Sequence, residues 1–187
     1  ITGESGSGKS TLLNILGSLD KPDDGEVVID GLNILDLNNY EIAKLRNQKI
    51  GFVFQFHHLL SEFTALENVL MPAWIGNLNY QTKDEAVNLF SELNLSSKMD
   101  FYPNQLSGGE RSRVALLRGI INKPKILLAD EPTGNLDEKN ALTLIELLKK
   151  INKDFNQAII ITTHNPDVAK LGCKRFNLVN GILKTMR

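Results

Sequence analysis

The chain has 187 residues, which at roughly 150 residues per domain makes one domain, and its 42% hydrophobic and 23% charged residues are those of an ordinary globular protein. Lys and Arg total 21 against 22 Asp and Glu, a formal charge of −1 that leaves no broad basic field for nucleic acid. A single cysteine, Cys173, excludes a disulfide framework and a cysteine-based zinc site and fits a reducing compartment.

The chain opens on a glycine-rich stretch, and residues 9–16 then read as a short helix. Lys21-Pro22-Asp23-Asp24-Gly25 is dense in turn formers. Residues 26–29 read as a strand closed by Asp30-Gly31, and 51–54 as a second. From about Thr64 the pattern becomes helical; Ala86, Phe90 and Leu93 recur at i, i+4, i+7 and place an apolar stripe on a helix near 83–93. Residues 126–129, between Pro124 and Pro132, are a continuous apolar run with the look of a strand buried on both faces of a parallel sheet. Ala141, Ile145 and Leu148 mark an amphipathic helix, and 158–163 the next buried strand. Residues 176–179 and 182–183 flank Asn180-Gly181, a strong hairpin signal. The pattern is an α/β domain with a parallel sheet, its core at 1–60 and 124–187, interrupted by a helical subdomain over 61–123. No apolar run approaches the roughly 18 residues of a membrane span, and nothing at the N-terminus reads as a signal peptide.

Gly3-Glu4-Ser5-Gly6-Ser7-Gly8-Lys9-Ser10, followed by Thr11, fits the phosphate-loop pattern. Glycines let the backbone wrap an anion with its N–H groups inward, and the helix that follows adds the positive end of its dipole. Lys9 would reach the β- and γ-phosphates, and the Ser10 hydroxyl would coordinate Mg²⁺. The same run also serves as a flexible turn, and chance supplies it in on the order of 1 in 100 chains of this length. A true phosphate loop needs an acidic site at the end of a neighbouring buried strand, because the metal is held from the other side. Asp130 and Glu131 stand there: Asp130 for Mg²⁺, Glu131 to orient and polarise the attacking water. The plainer alternative is a Glu-Pro pair capping a strand.

Leu106-Ser107-Gly108-Gly109-Glu110 places Ser107 and Glu110 in capping-box relation, ahead of an apolar face through Val114, Leu117 and Ile121. Two glycines are poor residues for a helix start, which points to close approach of an anion to bare N–H groups, a second phosphate-binding helix end.

In this order GESGSGKST, LSGGE, ILLADEP, GNLD and the Thr-Thr-His ending at His164 resemble the motif set of the ATP-binding-cassette ATPases, and they cover the whole chain. The resemblance implies ATP and Mg²⁺ as cofactors, two ATP molecules sandwiched in a head-to-tail homodimer, and Ser107, Gly108, Gly109 and Glu110 acting on the partner's ATP. It also implies Asp137 at the dimer seam, His164 on the γ-phosphate in cis, and Gln55 touching Mg²⁺ and water. Phe54-Gln55-Phe56-His57-His58-Leu59-Leu60 and Phe63-Thr64-Ala65-Leu66-Glu67-Asn68-Val69, with Arg46-Asn47-Gln48 before and Met71-Pro72 after, are similar to the ATP-binding subunits of lipoprotein-releasing systems. Those share a subgroup with macrolide-exporter and cell-division ATPases. The implied protein sits peripherally on the cytoplasmic face of the inner membrane of a Gram-negative bacterium. It drives integral membrane permease subunits, binds no nucleic acid and never touches the cargo. The alternatives are the ATPase of a related macrolide-exporter or cell-division complex, or a soluble non-transport cassette ATPase; a P-loop GTPase is disfavoured because Asn152-Lys153-Asp154 lacks the spacer of the base-reading motif.

The paired His57 and His58 do not make a metal site, since adjacent side chains diverge and no further His or Cys lies nearby in sequence. Phe56, Leu59, Leu60 and Phe63 form either a groove for a short helix of the membrane partner or ordinary core. Ser112 stands where the family commonly has glutamine, Leu117 and Gly119 where small alanines are usual, and Ser61 where proline is frequent. Gly119 inside a helix is expected to cost about 1 kcal/mol against alanine. Relatives also carry an antiparallel β region and an adenine-stacking aromatic upstream of the loop, whereas only Ile1 and Thr2 precede Gly3. The expectation is most of one domain, lacking its N-terminal β region, with the phosphate and hydrolysis groups retained, weak ATP binding and marginal folding.

Overall fold

A computed structural model describes residues 1–77 and 81–186. Three parallel strands, β3 (Ile50–Val53), β4 (Ile126–Asp130) and β5 (Ala158–Thr162), form the central sheet in the order β3-β4-β5. Ile1 and Thr2 continue it: Thr163 N–H donates to Ile1 O at 2.9 Å, while Thr2 N–H donates to Phe176 O and Leu178 N–H to Thr2 O, both at 2.8 Å. The two residues ahead of the phosphate loop thus lie between β5 and β6 (Arg175–Val179), the latter paired antiparallel with β7 (Ile182–Met186) across Asn180-Gly181.

Along β4, Leu127 faces a cluster with Phe90, Val114, Leu117 and Leu144, and Leu128 faces one with Leu13, Ile34, Leu45 and Ile50. The strand is covered on both faces, as its unbroken apolar run implies. The first cluster is built by α3 (Ala65–Ile75), α4 (Gln81–Glu92), α5 (Gly108–Ile120) and α6 (Glu138–Asp154). The α4 stripe and the α5 face are buried as the spacing predicts. The second lies beneath α1 (Lys9–Leu16) and α2 (Asn39–Lys49).

Two elements differ from the sequence expectation. The strand expected at 26–29 is only β1 (Val28–Ile29), one arm of a hairpin with β2 (Leu32–Asn33). Its turn is made by Asp30 and Gly31, both at positive φ (52° and 80°), the geometry a two-residue hairpin needs. Helix α2 was not anticipated: of its side chains only Leu45 is buried, so periodicity is faint, yet Asn38 and Glu41 form a capping box at its start.

Gly119 also behaves differently from a destabilising interior glycine. A Cβ on Gly51 of β3 would overlap the Gly119 carbonyl oxygen, and a Cβ on Gly119 would stand 2.9 Å from the Phe52 carbonyl oxygen. The two glycines let α5 lie directly on β3, so packing outweighs propensity at this site.

Candidate active site

The phosphate loop enters α1 through Gly8, which stands at φ 99° as its N-cap, a left-handed conformation costly for any residue with a Cβ. Lys9 is buried and its ammonium is satisfied by the carbonyls of Gly3 and Glu4, each 2.9 Å away. A cavity of about 570 Å³ opens above the loop, lined by Ser5, Gly6, Gly8, Lys9, Ser10, Thr11, Gln55, Asp130, Glu131 and His164. The fold thus brings together the loop, the strand-end carboxylates, the glutamine after β3 and the histidine after β5. Gly3, Glu4 and Ser7 belong to the loop without lining that space. A second cavity, about 550 Å³ and mostly apolar, lies beside Ile1, Leu12 and Leu148 and carries none of these groups.

Asp130 Oδ1 accepts a hydrogen bond from the fully buried Thr162 hydroxyl at 2.5 Å. Glu131 follows at φ 44°, its amide donating to Thr162 O at 3.0 Å, and it lines the same cavity as Asp130. That carboxylate is gripped twice by residue 164: Nδ1 of His164 lies 2.9 Å from Oε1, and the His164 N–H donates to Oε2 at 3.2 Å. Glu131, expected on the attacking water, and His164, expected on the γ-phosphate, are therefore partners of each other. Ser10, Asp130 and Gln55 offer only oxygen donors toward a metal, the donor chemistry of a hard cation such as Mg²⁺. Gln55 backs onto Gly134, and Asn135 Nδ2 donates to the Gln55 carbonyl at 3.1 Å.

Ser107 caps α5 as its spacing predicts: Glu110 N–H donates to Ser107 Oγ at 3.3 Å, and Ser107 N–H to Glu110 Oε2 at 2.7 Å. That backbone donation, assisted by Lys98, holds the Glu110 pKa below its ordinary value. The two signature glycines differ. Gly108 has open space where a Cβ would stand, which suits approach by an anion, whereas a Cβ on Gly109 would overlap the Asn140 side chain. Asn140 is held by Asp137, which accepts from the Asn140 amide at 2.8 Å and from its side chain at 2.7 Å; these bonds lower the Asp137 pKa. The signature turn and Asp137 lie outside the cavity.

A family model described as ABC transporter matches residues 1–134. The chain belongs to the ABC transporter family. Among curated ABC relatives, the lipoprotein-releasing system ATP-binding protein LolD 2 of Chlorobium chlorochromatii is 49% identical over 189 residues, covering 98% of this chain and 78% of the relative. LolD of Cytophaga hutchinsonii is 50% identical over 184 residues (98% and 84% covered), and LolD of a Shewanella species 46% over 187 (100% and 81%). The dimeric post-hydrolysis structure of the ATP-binding cassette MJ0796 bound to ADP and Pi superposes with TM-score 0.89 at 40% identity, covering 100% of this chain and 84% of that one. Another dimeric MJ0796 cassette structure gives 0.88 at 41%, with 100% and 82% covered.

Within this ABC cassette several supporting residues escaped the sequence reading. Thr162 lies inside the quoted Thr-Thr-His motif but its bond to Asp130 is visible only in three dimensions. On either side of Asp137, Asn135 bonds the Gln55 carbonyl, and Asn140, held by Asp137 at the start of α6, packs against Gly109 of the signature helix. Asn68, also fully buried, accepts from Leu60 N–H and donates to the carbonyls of Leu60, Phe63 and Thr64, shaping the loop after Gln55. On that loop Phe56 is 71% exposed and Leu60 42%, while Leu59 packs against the main core. No helix among the described residues is long and apolar enough to cross a membrane.

Proposed function

We propose that this chain is the ATP-hydrolysing subunit of an ABC transporter that releases lipoproteins from the inner membrane of a Gram-negative bacterium. The observation that carries the reading is the convergence of Lys9, Ser10, Gln55, Asp130, Glu131 and His164 on one cavity, with the signature turn outside it. One chain holds one half of a nucleotide site and offers the other half elsewhere, an arrangement that a head-to-tail homodimer completes. The dimeric cassette structures support that assembly, and the LolD relatives support lipoprotein release.

Lys9 exchanges the carbonyls of Gly3 and Glu4 for phosphate oxygens when nucleotide enters. Glu131 orients the attacking water and accepts its proton, and His164 fixes the Glu131 carboxylate while meeting the γ-phosphate. Ser10, Asp130 and Gln55 would hold Mg²⁺, which when bound neutralises charge across the β- and γ-phosphates. Ser107, Gly108 and Gly109 present the positive end of α5 to the γ-phosphate held by the partner, and Asp137 lies in the seam. Closure of the dimer drives integral membrane permease subunits at the cytoplasmic face, with exposed Phe56 and Leu60 beside Gln55 as the surface offered to them. The core at 1–60 and 124–187 holds the cis site, and the helical part at 61–123 carries the signature.

Lys9→Ala tests the cradle by equilibrium binding of ATP. Loss of affinity by about 10-fold or more, as for removal of a charged hydrogen-bonding group, is expected; unchanged binding counts against the assignment.

A further inference from the structure

The segment after Gln55 is strapped to the signature helix at two heights. His57 and His58 both stand in the left-handed region, at φ 62° and 46°, which is uncommon for residues bearing a Cβ. Arg118 of α5 supplies the first strap, its guanidinium donating to the carbonyls of His58 and His57, each at 2.6 Å. The second strap lies near the start of α5. His57 Nε2 is 2.6 Å from the Ser112 hydroxyl, which is 3.1 Å from the carbonyl of Gly108, the first residue of the helix.

Ser112 is buried and its hydroxyl has one proton. The Gly108 carbonyl has none, so Ser112 donates to it and accepts from His57 Nε2–H. The chain of bonds therefore selects the tautomer protonated at Nε2.

We infer that His57 is a positioning residue: its Nε2–H, relayed through the Ser112 hydroxyl to the Gly108 carbonyl, ties the Gln55 loop to the signature turn of the same chain. Nucleotide engaged by Gln55 at one site is thereby coupled to the turn presented to the partner's site. This rests on the proposed reading that the signature turn completes a second copy's site.

The test uses the full-length protein carrying Glu131→Gln, followed by ATP-driven dimerisation in analytical ultracentrifugation and by fluorescent-ADP binding to the monomer. Ser112→Ala and His57→Ala each weaken dimerisation about 10-fold, as for loss of one buried hydrogen bond. The double variant is no worse than either single one, and ADP binding is unchanged. His57→Gln and His57→Asn separate hydrogen bonding from backbone shape. Glutamine can place an amide N–H where Nε2 stands and asparagine cannot, whereas asparagine suits the left-handed backbone better. Dimerisation retained by His57→Gln and weakened by His57→Asn supports the inference. The reverse ranking, an unaffected Ser112→Ala, or additive losses in the double variant overturns it. Failure of the Glu131→Gln parent to dimerise on ATP overturns the underlying reading and this inference together; failure confined to the variants overturns this inference alone.

Discussion

The contact between α5 and β3 gives a prediction whose sign opposes secondary-structure propensity. Alanine at Gly51 places a Cβ on the carbonyl oxygen of Gly119 and 2.9 Å from Leu127 Cδ1. The clashing oxygen is backbone inside a helix, so relief requires α5 to lift off the strand rather than one side chain to swing aside. Overpacking of a core costs about 1–3 kcal/mol, and with no flexible atom to yield, about 3 kcal/mol applies at Gly51. For a domain of this size each kcal/mol lowers the melting temperature by about 2–4 °C, so Gly51→Ala loses about 6–12 °C. Gly119→Ala gains about 1 kcal/mol of helix propensity but brings its Cβ to 2.9 Å from the Phe52 carbonyl oxygen. Against an overpacking cost of about 1–3 kcal/mol the net is about 0–2 kcal/mol of destabilisation. Urea unfolding followed by far-ultraviolet circular dichroism, with calorimetry for the melting temperature, measures both. A Gly51→Ala chain within about 1 kcal/mol of wild type, or a Gly119→Ala chain stabilised by the full propensity gain of about 1 kcal/mol, refutes the close-contact reasoning.

Thr162→Val removes the hydroxyl that orients Asp130 and keeps the buried volume; hydrolysis falls about 10- to 100-fold, as expected for a lost bond to a charged group, while metal-free nucleotide binding holds. Equal losses in both measurements show that Thr162 acts on the fold rather than on Asp130. Glu110→Gln probes the signature cap by pH. The Ser107 N–H lowers the Glu110 pKa from 4.5, so its carboxylate stabilises the folded chain above that value and the contribution is lost as pH falls through the folded-state pKa. The wild type is therefore more stable than Glu110→Gln near pH 7, and the gap closes in acid; a gap that persists at low pH contradicts the cap.

The groups proposed to meet phosphate and water stand out in the sequence because their spacing is local and their chemistry distinctive. Most of the phosphate loop (Ser5, Gly6 and Gly8 to Thr11), the carboxylates at the end of an apolar strand and the histidine after the next strand converge on one cavity. Periodicity likewise located α4, α5 and α6 and the strands β4 and β5, since each has one long apolar face or is apolar throughout. It failed at α2, where a single side chain is buried and only the Asn38–Glu41 capping box marks the start. Partners distant in sequence were out of reach. The bareness of Gly109 is explained by Asn140, that of Gly119 by Phe52, and the conformation of His57 by Ser112 and Arg118. Each of these depends on how α5 lies against the sheet and α6, which no local pattern encodes.

The central claim is that Glu131 activates water in a site completed by a second copy. Glu131→Gln keeps the shape and one hydrogen-bond acceptor but removes the base. Its single-turnover rate of ATP hydrolysis, measured alongside sedimentation in the presence of Mg·ATP, tests the claim most directly. The account predicts binding of ATP, hydrolysis slowed by about 100-fold or more, as for loss of a general base, and accumulation of a dimer. Wild-type turnover, or a chain that stays monomeric with ATP bound, contradicts it.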